Sequence, residues 1–225
     1  MPVFDEEAAI STVVASWLNA VNRLGINFEF LIFDDGSRDE TVAILKRLAA
    51  SQPRLRIHTQ VNVGHGPTIF KGYREARGEW VFQTDSDDEM PAASFANLWS
   101  KREAYDLLIG YRSGRQFTGG RGAITLVSRI AVWALFGRAV RDVNSPYRLI
   151  RRDSLTAMLS LIPANAAAPN VLMSGIAAAY RLRVFEMLVP HLARRTGKAV
   201  PSLRLCHLAA QALRQTLEIA LRIRR

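Results

Sequence analysis

The chain holds a single cysteine, Cys206, so it can build neither an internal disulfide framework nor a cysteine zinc site, and a reducing compartment is expected. It lacks a convincing membrane-spanning run. The longest uncharged stretch, 154–180, is interrupted by Pro163, Asn165, Pro169 and Asn170, residues poorly suited to a bilayer-crossing helix. The basic opening of a secretory leader is missing as well, because Asp5, Glu6 and Glu7 stand in its place. Nor are the basic residues interleaved with aromatics as a nucleic-acid stacking platform requires, so no nucleic-acid partner is expected.

What is present is an ordinary globular composition, 49% hydrophobic and 22% charged over 225 residues, enough for one domain with a real core. The formal net charge is +10 and the isoelectric point about 10.6. Such a balance favours anionic lipid or phosphorylated substrates. Any acidic cluster therefore sits inside a basic protein.

One such cluster exists, and the chain is organised around it. In 79–91, EWVFQTDSDDEMP, the apolar run Trp80-Val81-Phe82 stops in Asp85, Ser86, Asp87, Asp88 and Glu89. Carboxylates crowded at the end of a buried strand repel one another and cost desolvation, which a cation relieves. In an extended segment Asp85, Asp87 and Glu89 share one face and are expected to converge, with Asp88 pointing away. Hard oxygen ligands of this kind suit Mg2+ or Mn2+, which keep positions open for substrate phosphates. A calcium loop of the EF-hand type needs Gly and Glu where Met90 and Ala96 stand. An acidic surface turn closed by Pro91 is the remaining alternative.

Around this segment strands alternate with helices. Apolar residues at helical spacing mark 6–24, and FEFLIF at 28–33 is a buried strand ending in the turn Asp34-Asp35-Gly36-Ser37. A helix at 41–50, a strand at 55–60, a glycine-bearing loop at 62–66, a helix at 67–76 and the strand 80–84 follow. Strands are also expected at 105–109 and 183–190, with an apolar helix at 123–136. The pattern argues for a doubly wound α/β sheet with its ligand crevice at the carboxyl ends of the strands. The FDDGS turn is not that of an aspartate-nucleophile phosphatase, since Phe33 occupies the nucleophile's position. The 64–72 loop lacks the Gly-Lys-Ser/Thr of a Walker A loop. At 202–225 a helix gathers Arg204, His207, Arg214 and Arg222 on one side and Leu205, Leu208, Leu213, Leu217, Ile219 and Ile223 on the other. It is expected either to dock on the core or to lie on an anionic membrane.

Together these motifs resemble glycosyltransferase family 2 of the GT-A fold, within it the polyprenyl-phosphate, dolichyl-phosphate mannose synthase-like transferases. The resemblance runs in order through PVFDEE at 2–7, FLIFDDGSRDET at 30–41, NVGHGPTIFKG at 62–72, TDSDDEMP at 84–91, GYRSGR at 110–115, DVNSPYRLIRR at 142–152 and VPHLARRTGK at 189–198. It implies a mainly parallel, Rossmann-like sheet in a domain of residues 1–201, with 202–225 as a separate basic amphipathic helix. It further implies an inverting, metal-dependent transfer of sugar from a nucleotide diphosphate sugar to a polyprenyl phosphate, at the inner, cytoplasmic face of the membrane. A same-fold transferase with another acceptor, or a non-catalytic nucleotide-sugar binder, is the alternative.

Carried over by position, Pro2, Phe4, Glu6, Ile32 and Asp34 would line the base and ribose pocket. Asp85, Ser86, Asp87 and Glu89 would hold the metal and the donor diphosphate, and Arg112, Arg194 and Lys198 would contact phosphates. Asp5 replaces the family's Asn, Glu89 stands where many members carry Gln, and Ala199 and Val200 stand near the expected Lys. The arginine expected shortly before Ser128 is absent, leaving Arg115, Arg121 and Arg129 as candidates. Family members also carry an apolar strand of about five residues ahead of the first motif. Here Pro2 follows Met1 directly, so the sequence is expected to lack its true beginning, and this form to be weakly stable or inactive.

Overall fold

The computed structural model describes the backbone of residues 1–112, 120–138, 140–192 and 202–224, and their side chains except those of 120–123 and 202–205. In chain order the elements are β1 Pro2–Val3, α1 Ile10–Asn22, β2 Phe30–Asp34, α2 Thr41–Ser51, β3 Leu55–Thr59, α3 His65–Glu75, β4 Trp80–Gln83, α4 Phe95–Trp99 and β5 Leu107–Arg112. They continue with α5 Gly120–Phe136, β6 Arg148–Arg151, α6 Arg152–Leu159, α7 Pro169–Ala179, β7 Val184–Val189 and α8 Ser202–Ile223.

Among the described residues the strands form two sheets. One is parallel in the order β1-β2-β3; the other runs β4-β6-β5-β7. In the second, β5 and β7 are parallel while β6 lies antiparallel to both β4 and β5. The single doubly wound sheet expected from the alternation is thus divided. The edge strand β1 pairs with β2 at two positions, Pro2 with Phe33 and Val3 with Asp34, and with no strand of the second sheet among the described residues. Strand β6 escapes sequence reading because Arg148-Leu149-Ile150-Arg151 is short and puts arginines at both ends of an apolar pair, with no period-two alternation.

The strand β5 shows why the second sheet reads as an apolar run. Leu107 and Ile109 enter a core with Ile69 and Phe70 of α3, Met158 of α6 and Leu172 and Ile176 of α7. Leu108 points the other way, toward Trp17 of α1, Phe95 and Leu98 of α4 and Leu149 of β6. A strand covered on both faces needs apolar residues at every position. Gly110 ends the run because a Cβ there would lie 2.6 Å from Val189 Cγ2 and 2.8 Å from Tyr147 Cδ1.

Helix α1 joins the halves. Its Ile10, Val14 and Leu18 pack with Val3, Ile32, Leu45 and Leu55 of the parallel sheet. Its Trp17 reaches the other sheet, with ring centroids 5.1 Å from Phe82, 5.8 Å from Tyr147 and 6.1 Å from Phe95. Such aromatic pairs contribute about 0.5–1.5 kcal/mol each beyond their burial.

Helix α8 docks on the core by a stripe of Ala212, Gln215, Thr216, Ile219 and Ala220, all buried. Gln215 Oε1 accepts the Ala167 N–H at 3.0 Å. The apolar side expected from its periodicity is therefore split: Ile219 faces in, whereas Leu213, Leu217 and Leu221 are exposed.

Candidate active site

The turn after β2 organises its surroundings by hydrogen bonds that its acidic side chains accept. Asp34 is buried, and its carboxylate accepts the N–H groups of Gly36 and Ser37, each at 3.2 Å, closing its own turn. Asp35 turns to the next loop, where it accepts from Val63 and Gly64 N–H, both at 2.9 Å, and from Gln60 Nε2 at 2.9 Å. Gly36 has φ +80, and a Cβ there would stand 2.9 Å from Asn62 N, so both conformation and space require glycine.

Residues 5–7 dock on the same turn. Asp5 donates its N–H to Ser37 Oγ at 2.9 Å and its Oδ1 accepts the Arg38 N–H at 2.8 Å. Glu6 N–H bonds Thr41 Oγ1 at 2.9 Å, and Glu7 Oε2 accepts the Glu40 N–H at 2.9 Å. Asp5 adopts φ +51, a left-handed conformation that Asn and Asp tolerate best among residues with a side chain. An aspartate is thereby accommodated at this position.

Of the residues expected to line a base and ribose pocket, Phe4 is exposed while Glu6 and Asp34 are nearly enclosed. Ile32 is not available: it is fully buried among Val3, Ile10, Val14 and Leu45. Its side chain lies on the face of β2 covered by α1 and α2, while Phe33 on the opposite face packs against α3. Pro2 is buried too and lines a cavity between the two sheets.

The acidic segment begins where β4 ends. Asp85 Oδ1 is buried with no hydrogen-bond partner. His65 Nε2, on the first residue of α3, stands 3.7 Å from it. Ser86 is buried, and Asp87 Oδ1 accepts the Glu89 N–H at 3.2 Å. Glu89 is turned to another partner: His191 Nε2 lies 2.9 Å from its Oε2, and its C=O accepts the Leu192 N–H at 2.8 Å. Among the described residues no three His, Cys, Asp or Glu side chains gather to hold a metal ion. The expected convergence of Asp85, Asp87 and Glu89 therefore does not occur. Extended alternation ends at Gln83, and Asp88 at φ +55 turns the chain, so the period-two rule no longer decides which carboxylates meet.

Arg112, at the end of β5, is committed inside the protein. Its Nε and Nη2 donate to Asp142 Oδ2 and Oδ1 at 2.7 and 3.1 Å, with the two side chains 10% and 9% exposed. The expected free phosphate-binding arginine is instead half of a two-pronged ion pair that ties the 142–145 loop to β5. Arg194 and Lys198 lie outside the described residues.

Sequence reading missed Arg148. Fully buried in β6, it donates from Nε to Ser145 C=O at 2.8 Å, from Nη1 to Asn170 C=O at 3.0 Å, and from Nη2 to Val143 C=O at 3.0 Å and Ser174 Oγ at 3.2 Å. Burial pushes its guanidinium below the usual range, but the carbonyls satisfy its donors. A lone arginine set in the apolar string Tyr147-Arg148-Leu149-Ile150 was the available signal.

With this geometry in view, the profile of glycosyl transferase family 2 matches residues 1–159. The chain belongs to glycosyl transferase family 2. The match takes in the 2–7, 30–41, 62–72, 84–91, 110–115 and 142–152 segments; 189–198 and α8 lie beyond it. Two similar relatives are the undecaprenyl-phosphate 4-deoxy-4-formamido-L-arabinose transferases of Pseudomonas fluorescens and Pseudomonas aeruginosa. They are 28% identical over 200 and 202 residues. Each alignment takes in 88% of this chain and 58% of the relative, so the chain spans little more than half the length of these relatives.

Among solved structures, glucosyl-3-phosphoglycerate synthase from Mycobacterium tuberculosis, in complex with Mn2+ and uridine-diphosphate-glucose, superposes with a TM-score of 0.72 at 21% identity. It covers 97% of this chain and 77% of the other. The same enzyme with phosphoglyceric acid gives a TM-score of 0.70. The family-2 chain thus has the GT-A fold, and its Rossmann-like parallel half carries the turn and loop described above.

Proposed function

We propose that the chain is a metal-dependent, inverting glycosyltransferase that moves a sugar from a nucleotide diphosphate sugar to a polyprenyl phosphate. The observation that carries this reading is Asp85, whose Oδ1 is buried without a hydrogen bond at the end of β4 in a family-2 fold, with His65 Nε2 3.7 Å away. A buried carboxylate oxygen without a donor costs about 1–3 kcal/mol or more, and a cation is the ligand that relieves it. The relatives named above act, by name, on undecaprenyl phosphate.

Asp85 and Asp87 are the residues that would hold Mg2+ or Mn2+, an arrangement of one or two carboxylates plus substrate phosphates typical of these ions. Such an ion supplies positive charge at the departing nucleotide diphosphate. Phe4, the exposed residue after β1, and the turn held by Asp34 and Asp35 receive the nucleoside. Glu89, held by His191, ties the acidic segment to the end of β7. No side chain need act as general base, because a phosphate monoester with a second pKa of about 6 is already ionised near neutral pH.

The lipid acceptor calls for a membrane-facing surface, and α5 with α8 supplies one. Leu126, Val127, Ile130 and Trp133 of α5 are exposed on one helical face, Trp133 at 63%. Val127 lines the same apolar groove as Leu213 of α8, which continues through the exposed Leu217 and Leu221. The same helix carries Arg214, paired with Glu218, and Arg222, basic residues of the kind that favour an anionic surface. Among the described residues no helix is long and apolar enough to cross a membrane. In this reading 1–201 is the transferase domain and 202–225 helps hold it to the inner face.

Calorimetric titration with a panel of nucleotide diphosphate sugars, with and without Mn2+ or Mg2+, tests the donor site. One donor is expected to bind in a metal-dependent way and to be consumed when undecaprenyl phosphate is added. Metal-independent binding of every donor would falsify the metal site. For the surface, the protein is expected to float with liposomes containing anionic lipid, less so as salt rises. The pair Leu217→Glu and Trp133→Glu, both facing outward, is expected to abolish flotation without unfolding the chain. Unchanged flotation of these variants rejects the surface.

A further inference from the structure

The N–H, C=O and carboxylate of Glu89 bond to three different residues. Its N–H donates to Asp87 Oδ1 at 3.2 Å, its C=O accepts the Leu192 N–H at 2.8 Å, and its Oε2 lies 2.9 Å from His191 Nε2. An ionised carboxylate only accepts, so the imidazole donates. The pair is shielded, with the His191 and Glu89 side chains 24% and 20% exposed.

This grip has a rigid base. Val189, the last residue of β7, and Met90, which follows Glu89, are buried in one apolar cluster with Leu108 and Tyr147, and Tyr147 OH donates to Pro91 C=O at 3.3 Å. Between that anchor and Asp87 lies Asp88, at φ +55. A residue with a side chain keeps such a conformation only where its surroundings over-determine it. Here Asp87 holds one end of Glu89 and His191 with Leu192 the other. His191 spends its Nε2 on Glu89, and among the described residues it joins Asp85 and Asp87 in no three-residue group that could hold a metal.

We infer that His191 is a positioning residue for the metal site: through Glu89 it fixes the turn at Asp88, and with it the carboxylate of Asp87, without ligating the ion. The inference rests on the metal-dependent reading above. The Glu89 N–H aims Asp87 Oδ1 only while the rest of Glu89 is held. Without His191 that residue keeps the Leu192 bond alone, and its charge is no longer anchored away from the two ligand carboxylates. Loss of groups that orient metal ligands from behind typically costs about 10–100-fold in metal affinity.

Mn2+ binding, followed by the paramagnetic resonance of the free ion, tests the inference on the full chain. His191→Ala is expected to weaken binding by about ten-fold or more, and His191→Gln, whose amide nitrogen reaches the position of Nε2, to recover most of the loss. Glu89→Gln, which still accepts the bond, is expected to bind within about three-fold of the parent. In a Glu89→Ala background His191→Ala is expected to change nothing further, because two residues acting through one contact are not additive. In the metal-free protein the Leu192 N–H is expected to exchange with solvent faster in His191→Ala than in the parent. Effects of Glu89→Ala and His191→Ala that multiply make His191 a ligand in its own right and overturn the inference. So does Mn2+ binding by His191→Ala equal to the parent's, an unchanged Leu192 exchange rate, or a loss in Glu89→Gln as deep as in Glu89→Ala, which makes Glu89 a ligand by its charge. A parent protein that binds no Mn2+ is a different result: it rejects the metal-dependent reading, and the inference with it.

Discussion

Asp87→Asn is expected to slow sugar transfer by at least about a hundred-fold while leaving the melting temperature of the protein unchanged. The first half follows from charge. If Asp87 is a metal ligand, the amide removes a negative charge from the site that holds the ion, and a loss of ~3 kcal/mol in transition-state stabilisation is a factor of ~10² in rate. The second half follows from the hydrogen bond. Asp87 Oδ1 accepts the Glu89 N–H at 3.2 Å, and an asparagine oxygen does the same, so the turn is kept. Asp85→Asn gives the complementary signature. Its Oδ1 is buried without a hydrogen bond, and its neighbour His65 Nε2 is 3.7 Å away on a largely exposed ring, so in the metal-free protein removing the charge is expected to hold or raise stability while transfer is lost. Steady-state rates over a Mn2+ titration, with melting curves of the same preparations, check both. Full activity of Asp87→Asn in the presence of EDTA removes the metal from the mechanism.

Asp142→Ala is expected to lower the free energy of unfolding by about 3–5 kcal/mol, the cost of stranding one member of a buried ion pair. An exposed pair would be worth only about 0–1 kcal/mol. What decides between the two is enclosure: Arg112 and Asp142 are 10% and 9% exposed and bonded through two prongs. Removing the carboxylate leaves the guanidinium in a site with little water, and Asn144 N–H also loses an acceptor at 3.3 Å. The double variant Arg112→Met with Asp142→Leu is expected to recover much of the loss, since it removes both charges together. Urea unfolding of the single and double variants measures this. A single-variant loss under about 1 kcal/mol means that the pair is solvated and that Arg112 is free for a phosphate after all.

The contrast between these two sites shows which level of description each residue answers to. Asp85 and Asp87 could be singled out from the string alone, because an apolar strand ending in carboxylates is a local pattern. Arg112 could also be found locally, as the arginine after a strand and a glycine. Its partner Asp142 lies thirty positions away, and nothing local says that the guanidinium is already engaged. The same holds for Glu89, whose partner His191 is contributed by the end of β7.

Local periodicity determined α1 to β4, β5, α5, β7 and α8, but not α4, β6, α6 or α7, and it placed the acidic segment at the end of β4; the motif series was legible as residue identities that resemble a family-2 transferase. These are properties of neighbours a few residues apart, where the 3.6 and 2.0 periods act. Tertiary structure alone decided the rest: the division into two sheets, the insertion of β6 between β4 and β5, the full burial of Ile32, the satisfaction of Arg148 by carbonyls and Ser174, and the exposure of Leu208, Leu213, Leu217 and Leu221 of α8 while Ile219 and Ala220 face the core. Each depends on which distant group covers a face or accepts a proton. A helix with apolar residues around half its circumference docks by whichever stripe fits its neighbours, and for α8 that stripe is Ala212, Thr216, Ile219 and Ala220, small enough to let it lie against α5 and α7.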